Sequence, residues 1–127
     1  MIDDGSILIE IKKMLGLMAD DETFDVDVII HINSAFSRLN QLGVGSAERF
    51  RIQGSNETWD DFWGEKPHLP EVKDYIYLQT KLMFDPPTGG ILGNYEAQIT
   101  KLEWLLNAAS DPTDEEKEHM GLKPLWG

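Results

Sequence analysis

Apolar residues recur at helical spacing in four stretches of the chain. In "SILIEIKKMLGL" the set is Ile7, Leu8, Ile11, Met14 and Leu15, with Ser6 or Asp4 placed to cap the start and Gly16 to weaken the end. In "DVIIHINSAFSRLNQLGVG" it is Val28, Ile32, Ala35, Leu39 and Leu42, with Gly43 and Gly45 as the stop. Asp25 and Asp27 stand where a helix dipole favours negative charge. Pro70, at a first helical position, opens a third helix that runs to Phe84 with Val72, Ile76, Leu82 and Met83 inward. Asp85, Pro86 and Pro87 end it, because neither proline donates a backbone hydrogen bond. The fourth helix starts between Ile91 and Tyr95 and reaches Ala109 on a stripe of Tyr95, Ile99, Leu102, Leu106 and Ala109. The short Pro/Gly link between the last two folds them into an antiparallel hairpin.

The middle of the chain is less regular. "ERFRIQG" alternates Phe50 and Ile52 against polar neighbours, which predicts one short strand or an extended arm. "SNETWDDFWGEKP" predicts a one-turn helix carrying Trp59, Phe62 and Trp63. The expected fold is all-α: a small antiparallel helical bundle of four to five helices with an extended loop or short β-hairpin in the middle. Residues 1–110 make the helical domain. Residues 111–127 are acidic and proline-punctuated, and read as a flexible C-terminal arm.

Composition narrows the function more than the fold. At 127 residues the chain is one domain, with 41% hydrophobic and 27% charged residues, a globular balance. The formal charge of −12 argues against phosphate-neutralising nucleic-acid binding and against adhesion to an anionic membrane. Cysteine is absent, so disulfides and thiolate metal sites are excluded and a reducing compartment suits the chain. "MIDDGSILIEIKK" lacks the basic start and unbroken apolar stretch of a signal peptide. No apolar run approaches the ~20 residues of a membrane span. The expected site of synthesis is therefore the cytoplasm.

Recognisable catalytic chemistry is missing. No phosphate-cradling glycine loop, nucleophile elbow or zinc helix is present. His31, His68 and His119 share no ligand spacing, and His31 within the second helix reads as a structural or surface residue. The run Asp20, Asp21, Glu22, Asp25, Asp27 invites a calcium reading, but neither register fits an EF-hand loop. Starting at Asp21 puts Val26 where glycine is required, and starting at Asp20 puts Phe24 at a ligand position. Asp60 and Asp61 are adjacent, which by itself defines no acid–base pair. The expectation is no enzyme, no cofactor and no metal.

The tryptophans divide. Trp104 lies beside the stripe of the last helix and is expected in or near the core. Trp59 and Trp63 are read first as core, with a partner contact as the alternative. Trp126 follows a polar acidic stretch together with Leu122 and Leu125. That tip reads either as an apolar anchor for a neighbouring subunit or as a chain end with incidental hydrophobics.

"IKKMLGL", "DVIIHINSAFSRLNQLGVG", "ETWDDFW" and above all "VKDYIYLQTKLMFDPPTGG" with "LEWLLN" resemble, in this order, the small head–tail connector (adaptor or neck) proteins of tailed bacteriophages. The resemblance runs from Ile7 to Asn107, and its most specific part is the helix–"FDPP"–helix–"LEWLLN" arrangement; the segment after Ser110 carries none. It implies a mainly helical subunit that joins copies of itself in a ring, commonly dodecameric, at the virion neck. Portal protein would meet one face and tail or neck completion proteins the other, with DNA passing through unbound. It also implies assembly contacts at Phe50, Arg51, Ile52, Gln53, Trp59, Phe62, Trp63, Leu122, Leu125 and Trp126. Two rivals stand beside it: an acidic binding module, such as a DNA mimic acting on a basic nucleic-acid-binding protein, and a small enzyme using clustered carboxylates.

Overall fold

The computed structural model describes residues 5–45 and 49–110. Five helices follow in order: α1 (Ile7–Met14), α2 (Asp25–Gln41), α3 (Trp59–Trp63), α4 (Glu71–Phe84) and α5 (Gly90–Ser110). α4 is the central helix. It packs against α2 on one side and α5 on the other, while α1 lies against both α2 and α4. Val72, Tyr75, Ile76, Leu78 and Thr80 of α4 are all buried, so most of its circumference faces protein. Ile7 and Ile11 of α1, Val28, Ile32 and Leu39 of α2, and Ile99 and Leu106 of α5 complete the core around it.

Local chemistry sets where the helices start and stop. Ser6 caps α1, its hydroxyl accepting the Ile9 N–H. Thr58 and Asp61 form a reciprocal capping box at α3, which lets a helix of five residues persist. α1 and α2 end in the same way. The Leu17 N–H reaches the Lys12 carbonyl and the Gly16 N–H that of Lys13. Val44 and Gly43 repeat the pattern on Leu39 and Asn40. These are Schellman motifs, each turned by a glycine at φ +84° (Gly16) or +80° (Gly43). The shared Leu-Gly-apolar tripeptide, "LGL" and "LGV", is their sequence signature.

Several expectations need correction. Pro70 is the residue before α4 rather than its first helical position, and α5 begins at Gly90, just upstream of the expected range. Met14 and Met83, at the ends of their helices, are 37% and 63% exposed. Ala109 is exposed as well. Trp104, expected in or near the core, is 65% exposed. On a 100° helical wheel it stands about 140° from Ile99, well outside the buried stripe.

Between Arg49 and Thr58 the chain forms no strand among the described residues, apart from an isolated bridge pairing Ser6 with Thr58. It runs along α2 in the opposite direction. Phe50 meets Phe36, and Ile52 bonds Asn33 three residues earlier on the helix. The expected alternation holds: Phe50 is half-buried and Ile52 buried, while Arg49, Arg51 and Gln53 face outward. Phe36, Phe50, Trp59, Phe62 and Trp63 form a chain of ring contacts with centroids 4.8–6.4 Å apart.

Candidate assembly surface

The acidic run between α1 and α2 is organised around a lysine. Lys12, 1% exposed, donates from Nζ to the carbonyls of Ala19 (3.1 Å) and Asp21 (2.6 Å) and lies 2.7 Å from Asp25 Oδ1. The ammonium stands among the same kind of oxygen donors that a calcium ion would take, and supplies the loop's positive charge from within. Asp21 turns its carboxylate to Thr23, whose hydrogen bonds hold it below its ordinary pKa. Among the described residues no group of three or more His, Asp or Glu is placed to hold a metal.

The remaining candidate groups are similarly engaged. Asp61 bonds the Thr58 N–H at its own helix cap, while Asp60 faces His68 at 3.5 Å. His68 also stacks on Trp63. His31 is half-buried on α2, and His119 lies outside the described residues.

A polar network ties three helices together. Glu103 of α5 receives both Nε and Nη2 of Arg38 (3.2 and 3.3 Å) and the Tyr75 hydroxyl (2.7 Å), and Gln79 donates to that hydroxyl at 2.9 Å. Burial opposes the charge on Glu103. The hydrogen bonds from Arg38 and Tyr75 and the guanidinium charge outweigh it and hold the carboxyl below its usual range. Burial, aided by the bond to Glu103, pushes the Tyr75 hydroxyl well above its ordinary value. Asn107 adds a bond to the Leu42 carbonyl, so the end of α5 is fixed to the end of α2.

This rigid body separates the residues singled out from sequence. Ile52, Trp59, Phe62 and Trp63 are buried within the subunit, and Phe50 is half-buried. Trp59 donates its indole N–H to Glu10, which also pairs with Lys73. Arg51 and Gln53 are exposed beside them. Leu122, Leu125 and Trp126 lie outside the described residues.

Two apolar surfaces escaped the sequence reading. Val26 (71% exposed) and Ile30 (54%) sit one turn apart on the outward side of α2. Trp104 and Leu105 (37%) stand on the outside of α5. Leu105 also borders a groove of about 470 Å³ between α4 and α5, together with Tyr77, Leu78, Leu102, Asp74 and Lys101. The signal was present: each exposed residue falls off its helix's buried register, and Trp104 stands across the helix from the stripe it was expected to lie beside.

Glu10, Asp25, Asp61 and Glu103 are thus engaged by cations or a helix cap, while α2 and α5 expose apolar side chains. The family described as phage connector protein matches residues 7–113, from the first residue of α1 to beyond α5, and the chain belongs to it. That family is a structural one. No curated protein and no solved structure matches the chain.

Proposed function

We propose that this protein is the head–tail connector, or adaptor, subunit of a tailed phage. It assembles as a ring beneath the portal and links the DNA-filled head to the tail. The observation that carries the reading is the family match across the whole helical bundle. The exposed apolar surfaces on α2 and α5 support it, since a closed ring needs two different faces of one subunit to complement each other. Arg51 and Gln53 act as direct contacts, and Phe50, Ile52, Trp59, Phe62 and Trp63 shape that surface from beneath. Leu122, Leu125 and Trp126 are the part that reaches a neighbour in the ring.

In this role the subunit is made in the host cytoplasm and works at the virion neck, between portal and tail completion proteins. It catalyses no reaction and takes no cofactor. DNA passes through the ring without specific binding, and the charge of −12 keeps phosphates from adhering to the channel. Lysine in place of channel carboxylates slows ejection; unchanged ejection kinetics would remove that part of the proposal.

Deleting the gene from the parent phage or prophage and imaging the particles tests the assignment. The expected result is tailless heads that leak packaged DNA beside separately assembled tails. Normal infectious virions would overturn it and turn attention to capture of a basic host protein, which the acidic-module reading predicts.

A further inference from the structure

We propose that in the isolated subunit the apolar tip of the C-terminal segment, Leu122, Leu125 and Trp126, fills a groove of the same chain beside the end of α5. The groove has a volume of about 440 Å³ and is bordered by Gly43, Gly45, Trp63, Lys66, Leu69 and Ala109. A cavity of this size falls within the usual ~300–1,000 Å³ of ligand pockets and accepts a large aromatic side chain. At Gly43 it is open, since a Cβ there would meet nothing within 4 Å, whereas Gly45 is closed by the Phe62 ring.

Three observations select the occupant. The chain leaves its last described helix at the rim of this groove, because Ala109 borders it and Ser110 is the next residue. Leu125 is then fifteen residues beyond Ser110. Fifteen residues of random coil span roughly 20 Å on average, which suffices for a return to this groove. Charge agrees as well. Lys66 is exposed and has no ion-pair partner among the described residues. The residues leading away from Ser110 include Asp111, Asp114, Glu115, Glu116 and Glu118. A tethered tip acts at an effective concentration in the millimolar range, so its own groove competes well against that of another molecule in dilute solution. The inference does not rest on ring assembly, although passing the same tip to a neighbour is an exchange that a ring can use.

The absence of cysteine makes the test direct. Lys66→Cys and Leu125→Cys are introduced together in the full chain and the thiols are oxidised gently. Thr88→Cys with Leu125→Cys serves as the comparison, because exposed Thr88 lies at the opposite end of α4. The Lys66 pair should close within one chain, at a rate independent of protein concentration and about tenfold or more above the Thr88 pair. Adding Trp126→Asp should bring it down to the Thr88 rate. Equal rates for the two pairs, or no response to Trp126→Asp, would overturn the proposal. So would linkage formed only between chains, which would place the tip on a second copy.

Discussion

Asn33 holds both backbone groups of Ile52: its Nδ2 donates to the Ile52 carbonyl at 2.9 Å, and its Oδ1 accepts the Ile52 N–H at 2.8 Å. One side chain of α2 thus does for the segment what a neighbouring strand would do, and sets the depth at which Phe50 and Ile52 meet the core. Asn33→Ala strands a buried N–H and a buried carbonyl, so it should destabilise the fold by about 2–4 kcal/mol. Urea unfolding measures this. A change within the ordinary scatter of surface substitutions would mean the segment is anchored elsewhere.

Lys12 supplies the positive charge around which the α1–α2 loop closes. Lys12→Met leaves Asp25 and two carbonyls facing an apolar side chain, and should cost about 3–5 kcal/mol, the range for removing one partner of a buried pair. Because the ammonium occupies the place of a cation, calcium should not raise the melting temperature of the unaltered protein. A calcium-dependent rise measured by calorimetry would contradict this.

The pH dependence follows from Glu103. Its carboxyl is held below the ordinary value in the folded state, so the stability it contributes is fully present above the unfolded value of about 4.3. That contribution is lost as pH falls through the folded value. Glu103→Gln should therefore be less stable than the parent at pH 7, with the gap narrowing as pH falls below about 5 and through the folded value. A gap that stays constant over that range would show that the charge is immaterial.

Gly43 and Gly45 separate two reasons for glycine. Both have positive φ, at +80° and +87°. Only at Gly45 would a Cβ also strike a ring, 2.5 Å from Phe62 Cζ. Gly43→Ala should cost roughly 1–2 kcal/mol for the backbone alone, and Gly45→Ala distinctly more, with a changed aromatic circular dichroism signal. Equal losses at the two positions would show that Phe62 moves aside freely.

Trp104 tests the assembly surface without disturbing the core. Being 65% exposed, it should tolerate Trp104→Asp with a stability change within about 0.5 kcal/mol. In a phage complementation assay the same variant should fail to restore tailed particles. Full restoration would remove the outer face of α5 from the interface.

The α-helical class, the helix order and most boundaries were legible because they depend on neighbours in sequence. Apolar spacing marks the buried stripe of α2, glycine ends α1 and α2 by turning left-handed, and two prolines follow α4. The family likeness rested on the same ordered signals. What the chain alone left open depended on residues far apart in sequence. Asn33 is an ordinary polar residue until Ile52, nineteen positions away, comes beside it. The acidic run fits no calcium loop by its spacing, but the cation that engages it, Lys12 from the preceding helix, becomes visible only in the fold. Trp59, Phe62 and Trp63 are ambiguous aromatics until Phe36 and Phe50 close over Trp59 and Phe62, with Trp63 packed against Phe62. Periodicity says that a helix has an inner face. Only the packing of five helices decides what fills it and which apolar side chains remain outside for a partner.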